Sequence, residues 1–156
     1  IRKLRIAVPN IALTTDIITG FCGESDEDFR LTYELMEEIR YDSAFMFKYS
    51  AREGTYAHKK MSDDIPEKIK GERLQQVIKL QEGISREVNQ QYIGQTVEVL
   101  VEGPSKRPAK DGQPRFYGRT RQGKTAIFTQ EIQRNEIVNI RVADTTSHTL
   151  LGEIAE

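Results

Sequence analysis

The feature that most constrains this chain is a change of hydrophobic rhythm at Gly94. Upstream, apolar residues come in blocks and at helical spacing. Downstream they alternate one by one in short runs broken by Gly, Pro, Asn and Asp. Helices repeat every 3.6 residues and strands every two, so the sequence predicts an α/β part followed by an all-β part.

In the first part, Ile11 to Phe21 (IALTTDIITGF) is rich in β-branched residues and is expected to be a strand buried on both faces. Ser25 stands as a helix N-cap, with Asp26, Glu27 and Asp28 opposing the positive end of the helix dipole. Phe29, Tyr33 and Met36, with Leu35 and Ile39, then give that helix one face to lay on a sheet, leaving its acidic face to solvent. Ser43 to Ser50 (SAFMFKYS) reads as a second buried strand, and strand–helix–strand implies a parallel pair. After a loop from Ala51 to Ile65, Pro66 opens a long helix to about Gln91, with an apolar stripe of Leu74, Val77, Ile78, Ile84 and Val88. Ile1 to Val8 (IRKLRIAV) reads as the end of a helix whose beginning is absent, so the chain is expected to be a piece of something longer.

The second part contains TVEVLVE, RFYGRT, KTAIFTQ, IVNIRVADTT and HTLLGEIAE. Five short strands with turn residues between them describe a small barrel of the OB type.

Charge is nearly balanced, 23 basic against 24 acidic residues, which excludes a uniformly basic nucleic-acid coat. The distribution is uneven. Glu24 to Asp42 holds eight acidic residues against Arg30 and Arg40. From Gly103 to Thr125 the sign reverses: Lys106, Arg107, Lys110, Arg115, Arg119, Arg121 and Lys124 are opposed only by Asp111. Phosphate-neutralising side chains there are interleaved with Phe116 and Tyr117, rings on which bases can stack, so Arg115, Phe116, Tyr117, Arg119, Arg121 and Lys124 are candidate RNA-binding residues. A solvated basic hairpin is the alternative.

The single cysteine, Cys22, cannot form an internal disulfide or by itself hold zinc or an iron–sulfur cluster. It is read as a small buried thiol. His58 and His148 have no ligands at metal-binding spacing, so no metal site is expected in the chain. No apolar run approaches the roughly 20 residues that span a bilayer, and no signal peptide is evident, so the expectation is a cytoplasmic protein without a membrane partner.

Thr15 to Glu24 (TDIITGFCGE) runs from a strand end through two glycines into a helix N-terminus, the place beyond the carboxyl ends of parallel strands where α/β folds bind ligands. On physics alone a tight strand-to-helix turn with a capping carboxylate explains it as well.

Thr15 to Phe29 (TDIITGFCGESDEDF) resembles the fifth-strand motif of radical S-adenosylmethionine enzymes, and YDSAFMFKYSAREGTYA (Tyr41 to Ala57) is similar to the sixth-strand motif of their methylthiotransferase family. The β block, with Gly118-Arg119-Thr120 and Lys124-Thr125-Ala126-Ile127-Phe128, resembles the TRAM domain of the same family. The pattern Phe-x-Tyr-Ser-x-Arg-x-Gly-Thr at Phe47 to Thr55 looks most like the tRNA-modifying branch, which methylthiolates isopentenyl-adenosine beside the anticodon. The ribosomal-protein branch tends to have a glutamate where this chain has Arg52 and an acidic insertion in the TRAM strand. Asn135 stands where relatives often place glycine, and asparagine also tolerates a left-handed backbone.

The resemblance implies the last β-α-β-α units of a partial radical SAM (β/α) barrel over residues 1–91, followed by a TRAM (OB-like) barrel over 92–156. It places Asp16, Ile18, Gly20 and Gly23 against the adenosine part of S-adenosylmethionine, Asp16 as a ribose acceptor and Ile18 as an apolar wall. Tyr49, Ser50 and Arg52 would face substrate or a preceding domain, although Arg52 suits a salt bridge to a loop carboxylate equally well. The full-length enzyme would use S-adenosylmethionine and two 4Fe–4S clusters, whose cysteines are not in this chain. The expectation is therefore an inactive piece that grips the tRNA anticodon stem-loop, with self-association through the cut barrel. A stand-alone RNA-binding module, or a member of the ribosomal-protein branch, is the alternative.

Overall fold

The computed structural model describes residues 1–106 and 112–155. The chain runs α1 (Arg2–Ala7), β1 (Thr14–Thr19), α2 (Asp26–Ile39), β2 (Ser43–Lys48), α3 (Tyr56–Lys60), α4 (Glu67–Gln90), β3 (Thr96–Pro104), β4 (Phe116–Thr120), β5 (Thr125–Phe128), β6 (Ile137–Thr145) and β7 (Thr149–Ile154). It forms two compact units, Leu13–Ile84 and Ile1–Ala12 with Ser85–Glu156.

In Leu13–Ile84, β1 and β2 pair in parallel, Thr14 opposite Ser43 and Thr19 opposite Lys48. The crossover helix α2 starts where its carboxylates favour it. Ser25 Oγ accepts from the Asp28 N–H at 3.1 Å, and the Asp28 carboxylate accepts from the Ser25 N–H at 2.9 Å. This reciprocal capping satisfies two N–H groups that the first turn cannot bond internally. The helix ends at Arg40, which adopts a left-handed φ of 54°. Phe29 and Met36 of α2 and Val77 of α4 pack on Ile17, Ala44 and Met46, the inward residues of the two strands.

Two expectations fail here. The strands are covered on one face only: Ile18, Phe45 and Phe47 are 53%, 63% and 55% exposed. Register makes them neighbours, with Asp16 opposite Phe45 and Ile18 opposite Phe47, and among the described residues the apolar cover, from α2, α4 and Tyr41, lies on the other side. Leu35 of α2 is also largely exposed, because Phe29, Tyr33 and Met36 already fill the face turned to the sheet. Within the expected loop, Thr55 caps α3, its hydroxyl accepting from the His58 N–H.

The second unit holds a closed barrel in the order β3-β4-β5-β7-β6, with β3 returning to β6. Only the β5–β7 pair is parallel. Val97, Val99, Val101, Phe116, Ala126, Phe128, Ile140, Val142 and Leu150 fill its interior. That is the alternate-residue pattern read from the sequence, closed into the small OB-like barrel expected. Two glycines make the bends. A Cβ on Gly118 would meet the Leu100 carbonyl oxygen at 2.2 Å, and one on Gly152 the Arg141 carbonyl oxygen at 2.2 Å. Each faces a register shift in the neighbouring strand, at Val101/Gly103 and at Val142/Asp144. Asn135 takes the left-handed conformation expected of it, φ 72°.

Candidate functional site

Two places merit a functional reading, one in each unit. In Leu13–Ile84 it is the turn from β1 into α2. Asp16 and Ile18 lie exposed on the uncovered face of the strands, a carboxylate and an apolar side chain beside Phe45 and Phe47. Gly20 and Gly23 follow with φ of 73° and 77°. Their N–H groups are taken by this chain's own carboxylates: Gly20 donates to Glu24 Oε2 at 2.7 Å and Gly23 to Asp64 Oδ1 at 2.8 Å.

Behind the turn stand two cations of α4 that the sequence analysis did not single out. Lys70 is fully buried, its stem so close to Gly20 that a Cβ there would lie 2.3 Å from Lys70 Cγ. Its ammonium donates to Asp63 Oδ1 at 2.6 Å and Glu67 Oε1 at 3.1 Å, and sits 5.4 Å from the Tyr49 ring centroid. The Asp63 hydrogen bond raises the Lys70 pKa above the ordinary lysine value although burial opposes it. Arg73, also buried, donates to the Glu24 carboxylate at 2.6 Å, the Glu24 carbonyl at 3.0 Å and Asp26 at 2.7 Å. Burial works against its charge, and the bonds to Asp26 and Glu24 outweigh that, leaving its pKa raised. Glu24 therefore links the Gly20 N–H to Arg73, which fixes the turn from inside.

Of the residues expected to face substrate, Ser50 and Arg52 are exposed, and among the described residues the Arg52 guanidinium makes no ion pair. Tyr49 does not face outward. It is buried, edge-on to Phe21 with ring centroids 4.9 Å apart, because its N–H continues the strand pairing onto the Thr19 carbonyl and turns the ring inward. Its hydroxyl pKa is raised, first by a hydrogen bond with Cys22, then by burial. Cys22 is a buried free thiol, as expected. No group of three or more His, Cys, Asp or Glu side chains among the described residues could hold a metal ion.

The second place is the outer surface of β3 and β4. Strand alternation sorts the basic block: Phe116, Gly118 and Thr120 are buried while Tyr117, Arg119 and Arg121 are on the outside. Phe116 therefore leaves the list of base-stacking candidates. Its ring lies in the barrel core, stacked on Phe128 with centroids 6.4 Å apart. Arg121 makes a two-point contact with Glu98, Nε to Oε1 at 2.7 Å and Nη2 to Oε2 at 3.3 Å. Arg119 Nη1 donates to the Gly123 carbonyl at 3.2 Å, and its Nε is 3.6 Å from Glu102. Lys124 Nζ stands 5.5 Å from the Tyr92 ring centroid, and Arg115 is half-buried. Arg107, Lys110 and Asp111 lie outside the described residues.

The family comparison matches residues 90–155 to the TRAM domain. The chain carries a TRAM domain. The likeness extends beyond TRAM to the whole sequence. The chain is 46% identical to the tRNA-2-methylthio-N(6)-dimethylallyladenosine synthase of Porphyromonas gingivalis strain W83, with 100% of the chain and 33% of that protein covered. It is 48% identical to the protein of that name from Chlorobium limicola, covering 100% of the chain and 35% of the relative. The Bacteroides thetaiotaomicron protein is 46% identical over 98% of the chain and 33% of its own length. The chain thus spans about a third of the length of the curated relatives it matches, and the resemblance to the methylthiotransferase family read from the sequence is borne out. No helix among the described residues is long and apolar enough to cross a membrane.

Proposed function

We propose that this chain is a working part of a tRNA methylthiotransferase: residues 1–91 complete a radical SAM (β/α) barrel and part of its S-adenosylmethionine pocket, and the TRAM domain grips tRNA. The observation that carries the reading is the likeness along the entire chain to synthases named for tRNA-2-methylthio-N(6)-dimethylallyladenosine, together with the TRAM match. The reaction would be 2-methylthiolation of isopentenyl-adenosine beside the anticodon, in the cytoplasm.

The residues at the first site suit the adenosine half of S-adenosylmethionine in part. Asp16 offers a free-standing carboxylate for ribose hydroxyls, and Ile18 beside Phe45 and Phe47 offers an apolar wall for adenine. Gly20 and Gly23 would serve by lacking a Cβ, since their N–H groups are already engaged. When bound, S-adenosylmethionine supplies the radical chemistry. The 4Fe–4S clusters do not fit this chain, whose one cysteine is buried, and their ligands belong to the remainder of such an enzyme. The uncovered face of β1 and β2 suits contact with further barrel strands, and in the isolated chain it would drive self-association.

Gel-shift titration of the chain with tRNA, and with an isolated anticodon stem-loop, at two salt concentrations tests the reading. Binding of both RNAs that weakens with salt, and weakens again on replacing Arg119 and Arg121 by glutamine, is expected. Equal affinity of wild type and the double variant would refute the assignment of these arginines. Sedimentation at increasing concentration tests self-association, with a strictly monomeric profile as the contrary outcome.

A further inference from the structure

The basic strand of the TRAM barrel does not present bare charge. On the outer side of β3, Glu98, Leu100 and Glu102 alternate, and on the outer side of β4 so do Tyr117 and Arg119, with Arg121 in the turn that follows. Register sets Leu100 opposite Arg119 and Val99 opposite Thr120, so Glu98 lies across from Arg121 just past the strand end and Glu102, at the register shift, lies diagonally from Arg119. The contacts follow: both Glu98 oxygens on the Arg121 guanidinium and Glu102 3.6 Å from Arg119 Nε. A carboxylate meeting arginine through two parallel N–H···O bonds presents it with two acceptor oxygens and one negative charge, as a backbone phosphate does.

Resting on the reading that this barrel face binds RNA, we propose that Glu98 and Glu102 are built-in phosphate competitors: they occupy Arg121 and Arg119 until an RNA backbone displaces them. All four side chains are substantially exposed, so each pair is weak enough for a phosphate to exchange into it. The competition selects for RNAs that bring phosphates to both arginines at once and against those offering a single charge. It also changes the salt response. An arginine meeting phosphate ordinarily releases a condensed cation from the RNA, and this release makes log K fall with log salt by about 0.7–0.9 per contact. Here each exchange also frees a carboxylate that takes up a cation, cancelling much of that release. The wild-type chain should therefore bind tRNA with a salt slope shallower than its arginine count implies.

The test is titration of the whole chain with an unmodified tRNA transcript across a salt series. Glu98→Gln with Glu102→Gln should tighten binding about two- to tenfold at low salt and steepen the slope by roughly one unit, as two contacts begin to release cations. The Glu98→Gln effect should vanish when Arg121 is also glutamine. Glu37→Gln on α2, which changes net charge as much as either single substitution, should leave binding unchanged. Unchanged or weaker binding by the E98Q/E102Q variant, or tightening by E98Q that persists without Arg121, would overturn the competition while leaving RNA binding in place. No tRNA binding by wild type or variants at low salt would overturn the RNA-binding reading and this inference with it. Coincident urea unfolding of variants and wild type secures the comparison.

Discussion

Phe116 and Tyr117 are adjacent aromatic residues with opposite duties, and replacing each by alanine separates them. Phe116 is buried in the barrel and stacked on Phe128, so Phe116→Ala removes the ring's transfer free energy and leaves a cavity beside Phe128 in the barrel core, at a cost of about 3–5 kcal/mol. At roughly 0.05–0.15 kcal/mol per residue, a unit the size of this barrel has only about 3–10 kcal/mol to lose. Urea denaturation followed by circular dichroism should therefore show the variant's transition shifted far toward zero denaturant, or absent. Tyr117 is half-buried on the outer side of the same strand, and its loss should move that transition little. If a base stacks there, Tyr117→Ala weakens tRNA binding by about 1–3 kcal/mol, between roughly fivefold and a hundredfold or slightly more. The reasoning is refuted if Phe116→Ala unfolds at the wild-type urea concentration while losing RNA affinity, since that is the behaviour of an outward-facing ring.

Other perturbations follow from the same structure. Gly118→Ala should cost several kcal/mol in thermal or urea melts, because its Cβ would collide with a backbone carbonyl that cannot move aside, whereas Gly123→Ala, with no atom within 4 Å, should cost only about 1–2 kcal/mol for its left-handed φ of 74°. The Asp28 carboxyl is held below the ordinary aspartate range, chiefly by the Ser25 hydroxyl and then by the Ser25 N–H. A depressed folded-state pKa gives stability that is present above the unfolded value and lost as pH falls through the folded one. Ser25→Ala should accordingly flatten the acid limb of a stability-against-pH curve below about pH 4, and an unchanged limb would refute the assignment. Anaerobic reconstitution with iron and sulfide should leave the chain colourless, and a stoichiometric cluster absorbance would show that one cysteine suffices.

The legible parts of the sequence were those in which local pattern and global fold agree. TVEVLVE alternates strictly, and each of its inward valines, Val97, Val99 and Val101, lies in the barrel core. The same alternation, applied to RFYGRTR, would have placed Phe116 inside and Tyr117 outside; the grouping of all aromatic and basic residues together ignored the two-residue period. Lys70 and Arg73 escaped notice because a hydrophobic stripe has no place for charges, yet they fall on the α4 face that also carries Val77 and Ile84. The carboxylates they meet, Asp63 and Glu67 for Lys70 and Glu24 and Asp26 for Arg73, make their burial tolerable. Ile18, Phe45 and Phe47 misled in the opposite direction, since an apolar strand reads identically whether its second face is covered or open. The pairing of Glu98 with Arg121 depends on the register between β3 and β4, which no window along the chain contains.

The barrel's connectivity also sets the order in which it can assemble. β3 with β4, β4 with β5, and β6 with β7 are neighbours in sequence and can zip as hairpins within microseconds. The seam between β3 and β6, and the parallel seam between β5 and β7, join segments separated by whole strands and close longer loops than the hairpins do. Closure of these two seams is the step with the greatest loop entropy, and non-local pairings of this kind are the ones that slow folding. A residue such as Ile140, buried on β6 opposite Val97, then acts on kinetics twice: weakening it slows closure and speeds reopening, so the barrel spends longer as a set of hairpins with unpaired edges.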